Sequence, residues 1–158
     1  MKITTKNFGE IEINEKSVID FIDGIPGFDH LKKFVLIENP EEDMQFHWLQ
    51  SVDDGDVAFV VINPFLFKPD YDFEISENTI IKLQLEDPKD VAIYSIVVVP
   101  EDLTKMTANL AAPIVINTKN KKGKQVLLDS DKYSKRHYIM EELNIVSEEV
   151  TKKEEEAL

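Results

Sequence analysis

Residues 46–63, FHWLQSVDDGDVAFVVIN, decide the fold because they hold two β-type segments separated by a short polar stretch. Phe46–Ser51 and Val57–Asn63 combine polar–apolar alternation with β-branched residues, a pattern that predicts strands. Further segments of this kind lie on both sides, at Lys2–Phe8, Glu10–Asn14, Phe34–Glu38, Val91–Val99, Ala112–Asn117 and Gln125–Asp129. Their short spacing predicts an all-β fold, a mainly antiparallel β-barrel-like or sandwich domain.

Two of these segments are almost continuously apolar. Val57–Ile62 and Ile93–Val99 therefore predict central strands that are covered on both faces. Asn120–Gly123, with its flanking lysines, predicts the tip of a hairpin that joins Pro113–Asn117 to Gln125–Leu128.

Helical periodicity is weak, so we expect only one or two short helices. Asp29–Lys33 predicts a single turn, and Ser76–Leu83 predicts a helix with Ser76 as its N-cap. With 158 residues, the chain has the size of one domain, which we place at residues 1–140. Residues 141–158 form an acidic tail, either frayed or a weakly amphipathic helix.

The start of the chain alternates polar and apolar residues, and no apolar run approaches the roughly 20 residues of a membrane span. We therefore expect a cytoplasmic protein with no membrane partner. The 18 basic and 31 acidic residues leave a net charge of −13, which disfavours direct nucleic-acid binding. A purely solubilising role for this charge is the alternative.

The charge is unevenly distributed along the chain. Residues 1–118 hold 22 acidic and 9 basic residues, and residues 137–158 hold 7 and 2. Residues 119–136 reverse the balance, with 2 acidic and 7 basic residues. This division favours a two-signed binding surface over a uniform solubilising coat.

Signatures of catalysis are absent from the sequence. Without cysteines, disulfides and thiolate sites are excluded, and no phosphate-binding loop or nucleophile motif is present. His30, His47 and His137 stand alone, so we expect neither a metal site nor a cofactor. The remaining enzymatic hypothesis is a small hydrolase that uses a carboxylate pair such as Asp70 and Asp72.

Two loops combine aromatic, proline and polar residues, which are typical of protein–protein contacts. They are NPFLFKPDYDF at Asn63–Phe73 and TANLAAPIVIN at Thr107–Asn117. The alternative is that these aromatic side chains fill the core, and that Asn109 and Asn117 satisfy backbone groups at strand ends.

Several motifs, taken in order, resemble the FliW family of flagellar assembly factors from about Ile3 to Tyr138. They begin with Phe8, Gly9 and Ile11 and continue through IDFIDGIPGF (Ile19–Phe28), WLQS (Trp48–Ser51), AFVVINPFLF (Ala58–Phe67), PDY (Pro69–Tyr71), TANLAAPIVIN (Thr107–Asn117), GKQ (Gly123–Gln125), and Tyr133, Arg136 and His137. Chance does not assemble this ordered set.

The resemblance implies an antiparallel β-barrel-like domain and a partner switch. Members of the family bind CsrA, a dimeric RNA-binding translational repressor, and relieve its repression of flagellin messenger RNA. Flagellin competes for the same factor. The family is described as non-competitive with RNA, while the sequence leaves both covering of the RNA site and indirect action open.

The acidic charge is consistent with such a partner, because an RNA-binding repressor carries a basic surface. The candidate contact residues are carboxylates and aromatic residues of the first loop, and polar residues of the second. They are Phe67, Asp70, Tyr71, Asp72, Glu74, Thr107 and Asn109.

Overall fold

The computed structural model describes residues 1–38, 46–129, 131–140 and Glu142. Within these residues the chain forms eleven β-strands and one α-helix. In chain order they are β1 (Lys2–Thr5), β2 (Gly9–Glu12), β3 (Ile19–Phe21), β4 (Lys33–Glu38), β5 (Phe46–Ser51), β6 (Ala58–Ile62), α1 (Glu77–Leu83), β7 (Val91–Val98), β8 (Thr107–Ala108), β9 (Ile114–Asn117), β10 (Lys122–Gln125) and β11 (His137–Tyr138). Apart from Glu142, the predicted tail at 141–158 lies outside the described residues.

Seven strands close into a barrel in the order β7-β6-β5-β4-β3-β10-β9, with β9 pairing back to β7. All of these pairs are antiparallel except β3–β10, which is parallel. The far end of β7 pairs with β8, which pairs with β11, while β1 and β2 form a separate hairpin. The all-β prediction is confirmed, and of its two forms the structure adopts the barrel.

Alternation along the strands separates the barrel interior from a second apolar layer outside it. In β6, Phe59 and Val61 join the interior cluster, while Val60 and Ile62 pack in the outer one. The predicted two-sided burial of this strand is therefore confirmed. Val98 and Val99 depart from the prediction, since they are 63% and 47% exposed beyond the last pairing of β7 with β6.

The β9–β10 hairpin differs from its prediction in position. The turn occupies residues 118–121, with Lys121 at φ +62°, and Gly123 lies inside β10. A Cβ at Gly123 would come within 3.1 Å of the Phe21 ring, so this glycine serves barrel packing and not the turn. The predicted strand Gln125–Asp129 accordingly begins earlier and ends at Gln125.

The predicted helix at Ser76–Leu83 is confirmed as α1. The Ser76 hydroxyl accepts a hydrogen bond from the Thr79 N–H, and Gln84 ends the helix in a left-handed conformation. The Asn117 side chain donates to the Leu83 carbonyl at 2.8 Å, which ties the helix end to β9. Among the described residues, no helix is long and apolar enough to cross a membrane.

The helical turn predicted at Asp29–Lys33 is wrong. Successive turns at Ile25–Phe28 and Phe28–Leu31 lead directly into β4, and Leu31 is buried in the barrel interior. Pairing of β4 with β3 and β5 fixes Lys33 in an extended conformation. The strand pairing therefore overrides the weak local preference of this segment for a helical turn.

Asp23, which follows β3, forms ion pairs with lysines of α1 and β10. Lys82 of α1 donates a hydrogen bond to its carboxylate at 3.3 Å, and Lys124 of β10 lies 3.5 Å from the same oxygen. The hydrogen bond from Lys82, helped by the charges of Lys82 and Lys124, lowers the pKa of Asp23 below its ordinary 3.8. Because the pKa is lower in the folded state, this stabilisation is present above 3.8 and is lost as the pH falls through the folded value.

Asp23→Asn is expected to reduce the free energy of unfolding near neutral pH by less than about 1 kcal/mol, because the ion pairs are partly exposed. The difference from the wild type should vanish in acid, once the wild-type carboxylate is protonated. Urea unfolding at about pH 6 and at a series of pH values below 3.8 measures the difference and its loss. An undiminished difference in acid would show that charge is not the cause.

Candidate protein-binding site

The loop between β6 and α1 carries the first set of predicted contacts, and we call its residues 63–74 the aromatic loop. It starts with a 3₁₀ turn at Pro64–Leu66, where the Asn63 side chain accepts a hydrogen bond from the Phe65 N–H at 3.0 Å. Proline at the first position of the turn has the right φ and needs no N–H partner. The local sequence therefore forms a tight turn directly after β6.

Tyr71 anchors the loop to the domain. Its side chain is only 3% exposed, its hydroxyl donates to the Leu110 carbonyl at 2.6 Å, and its ring packs edge-on against Tyr133 at 4.6 Å. Burial raises the pKa of the Tyr71 hydroxyl, and the nearby Tyr133 hydroxyl raises it further. The phenol is thus a neutral hydrogen-bond donor.

Tyr133 holds the next residue of the loop through its backbone. Its hydroxyl donates to the Asp72 carbonyl and accepts from the Asp72 N–H, both at 2.9 Å. The Asp72 carboxylate takes no part in these bonds, and Asp72 is exposed to solvent. Two tyrosines therefore fix the backbone from which the acidic side chains project.

The second predicted segment lies next to this anchor. Thr107 is a buried residue of β8, and the Asn109 side chain accepts hydrogen bonds from the N–H groups of Ala111 and Ala112 at 3.1 Å. Leu110, one residue on, is the acceptor for Tyr71. The structure thus brings the two predicted segments together, with both polar side chains of the second one held in structural positions.

Six of the seven predicted residues are either buried or exposed, and the seventh, Asn109, is half-buried. Phe67 is 2% exposed and stacks on His137 at 5.8 Å. Tyr71 and Thr107 are buried as well, and the rings of Phe67 and Tyr71 lie in the apolar layer outside the barrel interior. In contrast, Asp70, Asp72 and Glu74 are exposed, and Asp70 forms an ion pair with Lys68 at 3.4 Å. Of the seven, only the three carboxylates are exposed to solvent, while the buried Tyr71 holds the loop in place.

Tyr133 belongs to the motif set but is not among the seven predicted contact residues. Its hydroxyl bonds to Asp72 span 61 residues, so neither local spacing nor composition indicates them. The signal was the presence of a tyrosine in each of two distant motifs, PDY and the segment at Tyr133. A buried pair of such rings is an ordinary way to join two loops.

The hydrolase hypothesis gains no support from this geometry. The Asp70 side chain is 82% exposed and paired with Lys68. Asp72 is also open to solvent. A catalytic carboxyl pair needs a shielded environment that separates the protonation of its two members.

Comparison with known proteins places this barrel and its loops in one family. The family profile described as FliW protein matches residues 2–139. The chain belongs to the FliW family. The "Flagellar assembly factor FliW" of Alkaliphilus metalliredigens is 59% identical over 149 residues, which cover 94% of this chain and 92% of that protein. The one from Thermoanaerobacter pseudethanolicus is 57% identical, with coverage of 90% and 95%.

A solved structure agrees with this assignment. The crystal structure of the flagellar assembly factor FliW superposes with a TM-score of 0.83 at 42% identity, covering 88% of this chain and 96% of that one. The FliW resemblance and the predicted all-β fold are therefore confirmed, and with them a role in flagellar assembly.

Proposed function

We propose that this FliW-family chain works in the cytoplasm as a partner switch between CsrA and flagellin. It binds the repressor CsrA and relieves repression of flagellin messenger RNA, and it binds and chaperones flagellin. The observation that carries this proposal is the set of exposed carboxylates on a loop whose backbone two tyrosines hold in place. No catalytic step and no cofactor belong to this function.

Charge favours the repressor as the partner of the aromatic loop. A protein that binds RNA phosphates carries a basic surface, and an acidic partner attracts such a surface over several ångströms. Asp70, Asp72 and Glu74 supply negative charge on a rigid support, so little conformational entropy is lost on binding. The net charge of −13 adds steering from the whole molecule.

The switch follows from competition between two ligands for one factor. While flagellin is exported, the factor is free to hold CsrA, and flagellin synthesis continues. When flagellin accumulates, it occupies the factor, CsrA is released, and translation of flagellin falls. The resemblance favours non-competitive antagonism, in which CsrA, RNA and this chain meet in one transient complex.

Size-exclusion chromatography of the purified chain with CsrA and with flagellin tests the proposal. We expect a stable complex with each partner at micromolar concentration and displacement of CsrA by added flagellin. A CsrA–RNA gel shift should weaken as the chain is added, and RNA titration shows whether the antagonism is competitive. Absence of binding to both partners would refute the proposal.

The double change Asp70→Lys and Asp72→Lys is expected to weaken the CsrA complex by roughly tenfold and to flatten its salt dependence. Both carboxylates are exposed, so folding should be unaffected. Association rates at two salt concentrations measure both effects.

Glu12→Lys with Asp56→Lys is the matched control, since it alters net charge equally at two other exposed positions. If the control variant lost as much affinity as the loop variant, the effect would reflect net charge and not the aromatic loop.

A further inference from the structure

A groove runs beside the aromatic loop, and we call it the α1 groove. The loop forms one wall with Phe65 and Phe73, α1 contributes Ile80, Leu85 follows the helix, and Val91 and Ile93 of β7 line it as well. Its volume is about 610 Å³. Phe65 and Ile80 are 41% and 39% exposed, so the groove presents open apolar surface to solvent.

The edge of the α1 groove is acidic. Asp72, Glu86 and Asp87 line it, and none of the described residues that line it is a Lys or an Arg. Asp87 is partly neutralised, because its carboxylate lies 3.4 Å from Lys89 and caps the turn at Pro88–Asp90. Asp72 and Glu86 are exposed, and Asp72 is the residue that Tyr133 holds through its backbone.

We propose that the α1 groove binds a segment of the basic repressor that places apolar side chains between α1 and the aromatic loop, with lysine or arginine at its flanks. This inference rests on the proposed function and assigns the surface for one of its two partners. Apolar anchors in a pocket supply affinity, and complementary charge at the rim supplies orientation and association rate.

Charge also argues against two other occupants. The tail at 141–158 has seven acidic and two basic residues, so an acidic rim repels it. A second copy of this chain carries the same net charge of −13 and is disfavoured for the same reason. A basic partner is attracted to the acidic rim, whereas the acidic tail and a second copy are repelled by it.

The helix offers a matched pair of variants for the test. Ile80 lines the groove, whereas Ile81, the next residue of α1, is 66% exposed and is not among the lining residues. Ile80→Asp and Ile81→Asp make the same chemical change on the same helix, so their effects on helix propensity are comparable. Calorimetry with purified CsrA and with flagellin measures the affinity of each variant.

We expect Ile80→Asp to lose at least tenfold in CsrA affinity, because a charge enters the apolar contact, and Ile81→Asp to stay within about twofold of the wild type. Glu86→Lys, a change at the exposed rim that should leave the fold intact, is expected to lose about threefold and to show a weaker salt dependence. Urea unfolding confirms that each variant is folded.

The outcomes separate this inference from the proposed function. If the wild type binds CsrA and the two isoleucine variants bind it equally well, the groove assignment is overturned and the partner switch stands. Loss of flagellin binding alone in Ile80→Asp also overturns it, because flagellin is then the occupant. If the wild type binds neither partner, both proposals fall.

Discussion

Gly24→Ala is expected to lower the free energy of unfolding by about 2–5 kcal/mol. Gly24 has φ +68°, which costs an alanine conformational energy, and a Cβ there would lie 2.7 Å from the Cα and carbonyl oxygen of Asp29. Backbone atoms cannot rotate away as a side chain does, so the turn that places Ile25 in the barrel interior must shift. Urea unfolding followed by circular dichroism measures the loss.

Gly27→Ala is the matched control within the same GIPGF motif. Gly27 has φ +88°, yet within the described part of the chain no atom lies within 4 Å of an added Cβ. The free energy of unfolding of this variant should fall by only about 1–2 kcal/mol, the cost of the left-handed backbone conformation to alanine. Equal losses for the two variants would show that the close approach to Asp29 costs nothing, and that backbone conformation alone requires the first glycine.

Tyr71→Ala is expected to cost about 3–5 kcal/mol, because it removes a buried ring that packs on Tyr133 and Phe73. Tyr71→Phe keeps the ring and leaves the buried Leu110 carbonyl without its donor, which costs about 1–3 kcal/mol. Since Tyr71 anchors the aromatic loop, the alanine variant should also weaken the CsrA binding that we propose.

Tyr138→Ala serves as the control for Tyr71→Ala. Tyr138 is 56% exposed, and its truncation should change stability by no more than about 0.5 kcal/mol. Unfolding midpoints and CsrA affinity are measured for the same set of proteins. If Tyr71→Ala were no more destabilising than Tyr138→Ala, the anchoring role of Tyr71 would be wrong.

Long strands were predictable from sequence because alternation and β-branched residues repeat over five or more positions. β5 has the predicted bounds, and β6 and β7 differ from theirs only at the ends. β3, β8 and β11 have two or three residues each, too few for a period to show. They exist because a neighbouring strand supplies hydrogen bonds, and such pairing depends on the whole fold.

The candidate site also combines features that local sequence predicts with features that depend on the whole fold. Its acidic charge and its aromatic residues are visible in the sequence, so the loop itself was predictable. Which aromatic residues are buried was not, because the burial of Tyr71 depends on Leu110, 39 residues away, and on Tyr133. Likewise, the α1 groove is formed by three separate segments, and local sequence gives no sign that they meet.

The parallel pairing of β3 with β10 has a consequence for synthesis of the chain. Asp20 pairs with Lys122, so the ring of strands stays open until about a hundred more residues have left the ribosome. Until then, a nascent chain with β4, β5 and β6 in place presents unpaired strand edges and an uncovered apolar interior. We therefore expect a chain truncated before Lys122 to keep an open sheet and to be more susceptible to proteolysis than the full chain.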